Sequence, residues 1–220
     1  MLMFCCCMPG FTKAQSPFMN DGNGRPLYWG STYVMEGNPF LFDDYKWAEV
    51  TTGANQVYKD VRVKINMQDM LVQYILDDGT EMVTSTPIKS VRFIKADTNG
   101  DSLTDVLITA GGAILNKPES PVYQVLASGK ITLLKKISLS YRDGKKYGEA
   151  TTTRVYTRTD SYLISQEGSE PMKLEKERYF ITELMKDKRS AIDKFIEKKK
   201  IRFRSIEDIR LLILHYNTLQ

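Results

Sequence analysis

The sequence has few of the residues that most often carry catalysis or bind metals. His215 is its only histidine, which excludes a Ser-His-Asp triad and any site built from several histidines. Its three cysteines form one run, Cys5 to Cys7, near the start of the chain. No glycine-rich phosphate loop opens a helix, so a nucleotide-binding α/β fold is not supported. These common routes to enzymatic function are therefore not indicated.

Strong net charge and long apolar runs are also lacking. The 220 residues carry a formal net charge of +4 from interspersed signs, so we expect no nucleic-acid partner. No stretch after the N-terminal run approaches the roughly 18 consecutive apolar residues of a membrane-spanning helix, so we expect no transmembrane span in the mature chain. With 42% hydrophobic and 26% charged residues, the composition is that of an ordinary globular protein of one or two domains.

The N-terminal run MLMFCCCMPGFTKAQS is typical of a secretory signal peptide. An apolar stretch is followed by a short polar region, and Ala14 supplies the small residue that a signal peptidase requires. We predict a signal peptide over residues 1–14, a mature chain starting at Gln15, and a protein exported to the periplasm or the cell surface.

Two other interpretations of this run are considered. A lipoprotein signal would need a small residue before the modified cysteine, whereas Phe4 precedes Cys5. A buried N-terminal strand or helix is the other alternative. If the signal peptide is removed, the mature chain has no cysteine, which excludes disulfides, a cysteine nucleophile and thiolate-bound metals.

The region from about Trp29 to Ser165 has the pattern of β-strands. In QVYKDVRVKIN, the residues Val61, Val63 and Ile65 face one way, while Arg62 and Lys64 face the other. Turn signals recur between such runs, at Asp78-Gly79, Ser128-Gly129 and Thr159-Asp160. Short strands joined by local turns predict an antiparallel β-meander, or a partly closed barrel, in a β-rich domain over residues 15–170.

After Pro171 the pattern becomes helical. Apolar residues recur at three- and four-residue spacing, and they are Ile192, Phe195, Ile196, Ile206, Ile209, Leu212, Ile213 and Tyr216. Ser205 with Asp208 three residues later resembles a capping box. We predict a C-terminal helical segment over residues 171–220 that packs on an open face of the sheet, which makes the fold α+β.

Three stretches together carry a resemblance to a known group of proteins. They are NPFLFDDYKWAEVTTGANQVYKDVRVKIN, PVYQVLASGKITLLKK and DKFIEKKKIRFRSIEDIRLLILHYNTL. This combination resembles a group of uncharacterised exported proteins from Bacteroidota and covers most of the mature chain. The resemblance implies export, and it carries no catalytic or binding residue.

The stretch DTNGDSLTD offers the one cofactor that the sequence suggests, calcium. Oxygen ligands recur at alternate positions, from the side chains of Asp97, Asn99, Asp101 and Asp105 and the carbonyl of Leu103. Ser102 stands where a calcium loop has glycine, and the flanking segments have the pattern of strands. The alternative is a hairpin turn at Asn99-Gly100 without a specific metal, and we favour it.

An aromatic stretch supplies the candidate binding residues, Tyr28, Trp29, Tyr33 and Trp47. Such side chains can form a platform for a sugar ring or a peptide. The alternative is that they pack the first strand onto the sheet.

Two functions are consistent with these features of the sequence. The first is a non-enzymatic exported cell-envelope module that binds a protein or glycan partner. The second is a carboxylate-dependent envelope hydrolase, for which adjacent pairs such as Asp43-Asp44 and Asp77-Asp78 are the available carboxylates. We favour the binding module, because adjacent residues on a strand point to opposite faces and Asp77-Asp78 lies in a predicted turn.

Overall fold

The computed structural model describes residues 24–26, 33–93, 106–114, 121–145, 151–167 and 169–219. The strands are β1 (Gly24–Pro26), β2 (Tyr33–Glu36), β3 (Lys46–Thr52), β4 (Val57–Asn66), β5 (Leu71–Ile75), β6 (Glu81–Thr84), β7 (Ile88–Phe93), β8 (Val106–Ile114), β9 (Val122–Ala127), β10 (Ile131–Gly144), β11 (Thr152–Gln166) and β12 (Met172–Lys173). The helices are α1 (Arg178–Glu183), a 3-10 turn (Lys186–Lys188), α2 (Arg189–Lys199) and α3 (Ile206–Thr218).

The described strands form one twelve-stranded sheet in the order β1-β6-β5-β4-β3-β7-β8-β9-β10-β11-β12. Neighbours along this order are antiparallel, and β2 is an additional strand that pairs in parallel with one end of β11. Most neighbours are consecutive in the chain, as a meander requires. The exceptions are β1, which pairs with β6, and β3, which lies between β4 and β7.

This strand order forces the sheet to roll up. The connection from Thr84 at the end of β6 to Ile88 at the start of β7 has four Cα steps, which span at most about 14 Å. In a flat sheet, β6 and β7 would lie four strand spacings apart, or about 19 Å. The edge of β6 must therefore curl back toward β7. The predicted α+β fold, with a meander that partly closes and a small C-terminal helical segment, is confirmed.

The inside of the roll holds the first hydrophobic core. Val61, Val63 and Ile65 of β4 are buried there, and their partners on other strands include the fully buried Phe93. Arg62 and Lys64 stay partly exposed on the outer face, as the alternation predicts. The two-residue period of a strand is enough to separate the two faces.

A second hydrophobic core lies between the C-terminal helices and one end of the sheet. Ile131 and Leu133 of β10 and Ile164 of β11 form its floor. The residues of the C-terminal helices and their connections that cover this floor are Ile181, Met185, Ile192, Ile196, Ile209, Leu212, Ile213 and Tyr216. The predicted apolar stripes of α2 and α3 are thus buried, apart from Phe195 and Ile206, which are partly buried.

One predicted turn is wrong. Thr159 and Asp160 lie in the middle of β11, which pairs without interruption with β10 from Ile131↔Gln166 to Gly144↔Thr153. The turn signal of Thr-Asp is overridden because continuous pairing with β10 keeps these residues in the strand. The turns predicted at Asp78-Gly79 and Ser128-Gly129 do fall between strands.

The start of α3 follows the predicted cap only in part. The Ser205 side chain accepts a hydrogen bond from the Asp208 N–H at 3.2 Å. The Asp208 carboxylate does not complete a box, since it accepts from the backbone N–H of Arg202 at 3.0 Å instead. This backbone hydrogen bond, and then the one from the Arg202 side chain, hold the pKa of Asp208 below its usual range.

Hydrogen bonds of Asn217 connect α3 to the β9–β10 turn. The Asn217 side chain accepts from the Ile131 N–H at 3.0 Å and donates to the carbonyls of Ile131 and Ser128 at 2.8 and 3.1 Å. Gly129 has φ +147°, and a Cβ there would lie 2.6 Å from Cγ of Asn217. Glycine is needed at this position because the amide fills the space that a side chain would take.

No helix in the described part of the chain is both long and apolar enough to cross a membrane.

Candidate functional site

The predicted aromatic platform is only partly visible. Tyr28 and Trp29 lie outside the described residues. Tyr33 begins β2, which pairs with β11, whereas Trp47 lies on β3 between β4 and β7. The strands β7, β8, β9 and β10 separate β3 from β11 in the sheet. Tyr33 and Trp47 are therefore not on neighbouring strands, and Trp47 is the residue around which a site can be described.

Trp47 lies on the outer face of the rolled sheet. Its register partner on β4 is Arg62, and the Arg62 guanidinium carbon lies 5.8 Å from the centroid of the Trp47 ring. The Trp47 side chain is large, yet 40% of it is exposed. A cation–π contact with an indole at an exposed site stabilises the pair by about 0.5–1 kcal/mol. The contact between Arg62 and Trp47 therefore does not require burial.

A second cation lies on the same face, two residues along β4. Lys64 Nζ is 4.0 Å from the ring centroid of Phe40 and 5.8 Å from that of Tyr45. Phe40 is brought there by its bridge to Asn66 at the end of β4. We call the set Phe40, Tyr45, Trp47, Arg62 and Lys64 the aromatic–basic surface.

Two polar groups near this surface have no hydrogen-bond partner. Gln73 pairs with Lys64 across β4 and β5 and is only 1% exposed, yet its side-chain nitrogen makes no hydrogen bond in the described structure. The buried hydroxyl of Tyr45 also lacks a partner within hydrogen-bond distance, although the Glu81 carboxylate lies close enough to raise its pKa. An unsatisfied buried polar group costs about 1–3 kcal/mol, so both are unusual in a folded protein.

The charge environment keeps the Tyr45 hydroxyl protonated. Burial, and then the negative charge of Glu81, raise the pKa of Tyr45 well above its usual range. The group therefore remains a hydrogen-bond donor at physiological pH. The Tyr45 hydroxyl and the Gln73 amide nitrogen are both buried, so the groups that a ligand can contact on this surface are the rings of Trp47 and Phe40 and the cations of Arg62 and Lys64. This set suits a ligand rich in oxygen acceptors that also offers an apolar or planar face.

The carboxylate pairs considered for a hydrolase have local contacts. The Asp43 carboxylate accepts a hydrogen bond from the Asn38 amide, and Asp78 accepts from the Thr80 N–H at 2.8 Å. This bond is the main cause that lowers the pKa of Asp78. Asp44 and Asp77 are exposed. None of these contacts sets two carboxylates opposite each other in a cleft.

The cavities elsewhere in the described part of the chain include two whose linings bear on a hydrolase. One of about 330 Å³ is lined by Lys130, Asp187, Lys188, Tyr216 and Leu219. Another of about 200 Å³ is lined by Glu36, Arg142, Gly144, Lys145, Thr153 and Val155. Each has a single carboxylate in its lining. A glycosidase of the usual kind needs two facing carboxylates, so neither lining has that arrangement.

The Asp187 carboxylate is part of the packing of the helical segment. It accepts hydrogen bonds from Lys130 Nζ at 2.7 Å and from the Tyr216 hydroxyl at 2.8 Å. These bonds, that of Lys130 first, hold the pKa of Asp187 below its usual range. They connect the 3-10 turn, the β9–β10 turn and α3. The larger of the two cavities therefore lies where these three elements pack together.

The candidate calcium ligands cannot be placed. Asp97, Asn99, Asp101, Leu103 and Asp105 all lie outside the described residues. Among the residues that the structure does describe, no three His, Cys, Asp or Glu side chains come together to hold a metal ion. The choice between a calcium loop and a plain hairpin turn stays a prediction.

Sequence reasoning found Trp47 but missed most of its neighbours. The alternation of apolar and polar residues along β4 had predicted that Arg62 and Lys64 lie on the outer face. This alternation was the signal for these two residues that the sequence contained. It could not show that Trp47 stands beside Arg62, because that depends on the register of β3 against β4. Gln73 gave no signal, since a buried glutamine on an outer face is a tertiary feature.

A scan of the chain against models of known protein families gives no match, and searches of curated proteins and of solved structures find no similar chain.

Proposed function

We propose that the protein is a non-enzymatic exported module of the cell envelope that binds a protein or glycan partner through the aromatic–basic surface. The observation that carries this proposal is the pairing of two aromatic rings with two cations on one sheet face, the exposed Trp47 with Arg62 and the partly buried Phe40 with Lys64. Aromatic faces bind sugar rings and planar groups with little loss of side-chain entropy.

The charge of the aromatic–basic surface indicates the class of ligand. Because the cations of Arg62 and Lys64 are the charged groups in contact with the aromatic rings, an acidic sugar or an acidic protein surface fits better than a cationic one. Export rests on the signal-like N-terminal run and on the resemblance to exported proteins of Bacteroidota.

Tryptophan fluorescence tests the proposal directly, since the chain has only two tryptophans, Trp29 and Trp47. The full chain is titrated with a neutral oligosaccharide of N-acetylglucosamine, an oligosaccharide of uronic acids, and purified lipopolysaccharide. We expect saturable quenching or a spectral shift with an acidic glycan. The variants are compared by isothermal titration calorimetry, because Trp47→Ala removes the fluorescent reporter. Trp47→Ala should weaken binding at least 10-fold, and Arg62→Gln should weaken it several-fold.

A matched control is Tyr179→Ala, which removes an aromatic side chain that is 75% exposed on the helical segment. It should leave binding unchanged. If Trp47→Ala binds every glycan as well as the parent chain does, the surface is not a glycan site. The same variants are then tested against envelope proteins cross-linked in intact cells, and unchanged cross-linking would refute the protein partner as well.

A further inference from the structure

The outer edge of β11 is interrupted by a short opening. At one end β2 covers the edge in parallel, from Tyr33 beside Thr152 to Glu36 beside Val155. At the other end β12 covers it at Leu163 and Ile164. On this outer edge no described strand pairs with the five residues from Thr157 to Ser161, and all five residues are exposed.

The backbone groups that face this opening can be assigned. The carbonyl of Tyr162 points to the outer edge, because it accepts from the Leu174 N–H at 2.9 Å. The carbonyl of Thr157 points the other way, since the Ser140 hydroxyl on β10 donates to it at 3.3 Å. Successive residues of a strand direct their backbone groups to opposite sides, so Arg158 and Asp160 direct their N–H and C=O groups outward.

These four groups form a row of two donors and two acceptors along the opening. An exposed row of this kind is a template for one more strand. The opening is five residues long, or about 17 Å, and covered edge lies at both ends. We therefore propose that the edge of β11 between β2 and β12 receives a short extended segment of a partner protein, which adds a strand to the sheet.

The dimensions exclude pairing between two copies of β11. The strand has 15 residues, from Thr152 to Gln166, so it is three times as long as the opening. In the antiparallel arrangement centred on Thr159, Leu163 of one copy would stand opposite Val155 of the other. There, β12 of the first copy and β2 of the second would occupy the same space. A loop or tail that bends away at each end does not meet this obstacle.

Charge selects the chemistry of the segment. Arg158 and Asp160 lie on one face of β11 at the opening, and Lys135 of β10 lies on the same face, whereas Lys136 pairs with Ser161 and lies on the other face. Lys135 Nζ is 2.8 Å from the Asp160 carboxylate, which neutralises that pair. Arg158 is also paired with this carboxylate, so on this face two cations share one carboxylate and one positive charge remains in excess. The segment should thus carry a carboxylate side chain at the position facing Arg158, while its backbone provides most of the contacts.

Arg158 is also anchored in a way that suits this role. Its Nη1 donates to the Leu41 carbonyl at 3.2 Å, and its Nε is 3.4 Å from the Asp160 carboxylate. About 40% of the side chain is exposed, so part of the guanidinium can contact an added strand. The location is separate from the aromatic–basic surface, and the two proposals can fail independently.

The test begins with selection of linear heptapeptides from a random phage library on the immobilised full chain. We expect selected sequences to include an acidic residue and to lack proline in their centre. Their dissociation constants are then measured by fluorescence anisotropy with capped synthetic peptides. Asp160→Pro removes one outward N–H and should weaken binding at least 10-fold, whereas Asp160→Asn keeps that N–H and should weaken it less than about 3-fold.

A second measurement does not depend on how well a variant folds. Each selected peptide is made in two forms, with N-methyl groups on one or the other alternate set of residues. One form should lose binding at least 10-fold and the other should keep it, because only one set of N–H groups faces β11. Equal behaviour of the two forms, failure to select any peptide, or concentration-dependent dimerisation through β11 would each overturn the proposal.

Discussion

The two halves of the β10–β11 hairpin share one ladder but differ in what surrounds them. In the near half, Ile131, Leu133 and Ile164 are fully buried beneath the C-terminal helices. In the far half, Tyr141 and Val155 are exposed by 51% and 41%. The hydrogen-bonded register is equally regular in both halves. Backbone pairing thus defines the hairpin, whereas burial distinguishes the half that supports the fold.

The far half is held mainly by contacts within the sheet. Arg154 donates two hydrogen bonds of 2.7 Å to the Asp143 carboxylate, and its guanidinium lies 3.8 Å from the centroid of the Tyr141 ring. Tyr141 also makes an edge-on contact with Tyr156, at 6.1 Å between ring centroids. Exposed contacts of this kind contribute less than core burial, so substitutions in the two halves should differ in cost.

The largest effect is expected where the helices cover the near half. Leu212→Ala removes a fully buried side chain of α3 and should lower the free energy of unfolding by about 2–5 kcal/mol, through lost burial and a residual cavity. The neighbouring Leu211 is 43% exposed, so Leu211→Ala should cost less than about 0.5 kcal/mol. Urea denaturation of both variants measures the contrast. Equal costs would mean that α3 does not depend on this packing.

The polar attachment of α3 to the near half should matter somewhat less. Asn217→Ala leaves the buried Ile131 N–H without its acceptor and should cost about 1–3 kcal/mol. Thr218→Ala, one residue further on and exposed, serves as the control and should change stability by less than about 0.5 kcal/mol. The readout is again the urea midpoint. A near-neutral Asn217→Ala would show that apolar packing alone holds the helix in place.

In the far half, even a well-formed ion pair should contribute little. Arg154→Gln breaks the two hydrogen bonds to Asp143 and should cost at most about 1 kcal/mol, because solvent screens the pair and the Asp143 side chain is 41% exposed. Thermal unfolding of both chains in low and high salt checks this. Because salt screens the ion pair, the difference in stability between the parent chain and Arg154→Gln should be smaller in high salt. A cost comparable to that of Leu212→Ala would remove the distinction between the halves.

The smallest effect should appear only in acid. The hydrogen bonds from Lys130 and Tyr216 lower the pKa of Asp187 in the folded state below the unfolded value of about 3.9. Their stabilisation is therefore present above that value and is lost as the pH falls through the lower folded pKa. The difference in urea midpoint between the parent chain and Asp187→Asn should be constant near neutral pH and shrink below about pH 4. A difference that does not vary with pH would contradict this assignment.

Much of the local structure could be predicted because it depends on short-range pattern. The alternation around Val63 identified a strand and its buried face, and the stripe from Ile209 to Tyr216 identified a docked helix. The turn predicted at Thr159-Asp160 was wrong because a short-range signal was outweighed by long-range pairing. By continuing through these residues, β11 forms backbone hydrogen bonds with β10 along its whole length.

The candidate site was less predictable than the fold. Trp47 could be selected for its chemistry, whereas its pairing with Arg62 and the burial of Gln73 depend on which strands meet and in what register. A shift of one residue would have placed the same side chains on the opposite face. Composition and spacing do not determine such a register when several pairings keep the apolar residues inside.

By itself, the sequence determined which segments are extended or helical, which side of each is apolar, and where Ser205 begins the last helix. These features follow from side-chain periodicity and from hydrogen bonds between near neighbours. Only the tertiary structure decided that β3 lies between β4 and β7, that the sheet rolls up, and that an edge of β11 is left open. These features arise from contacts between residues far apart in the chain, where the geometry of short connections and the packing of two cores select one arrangement.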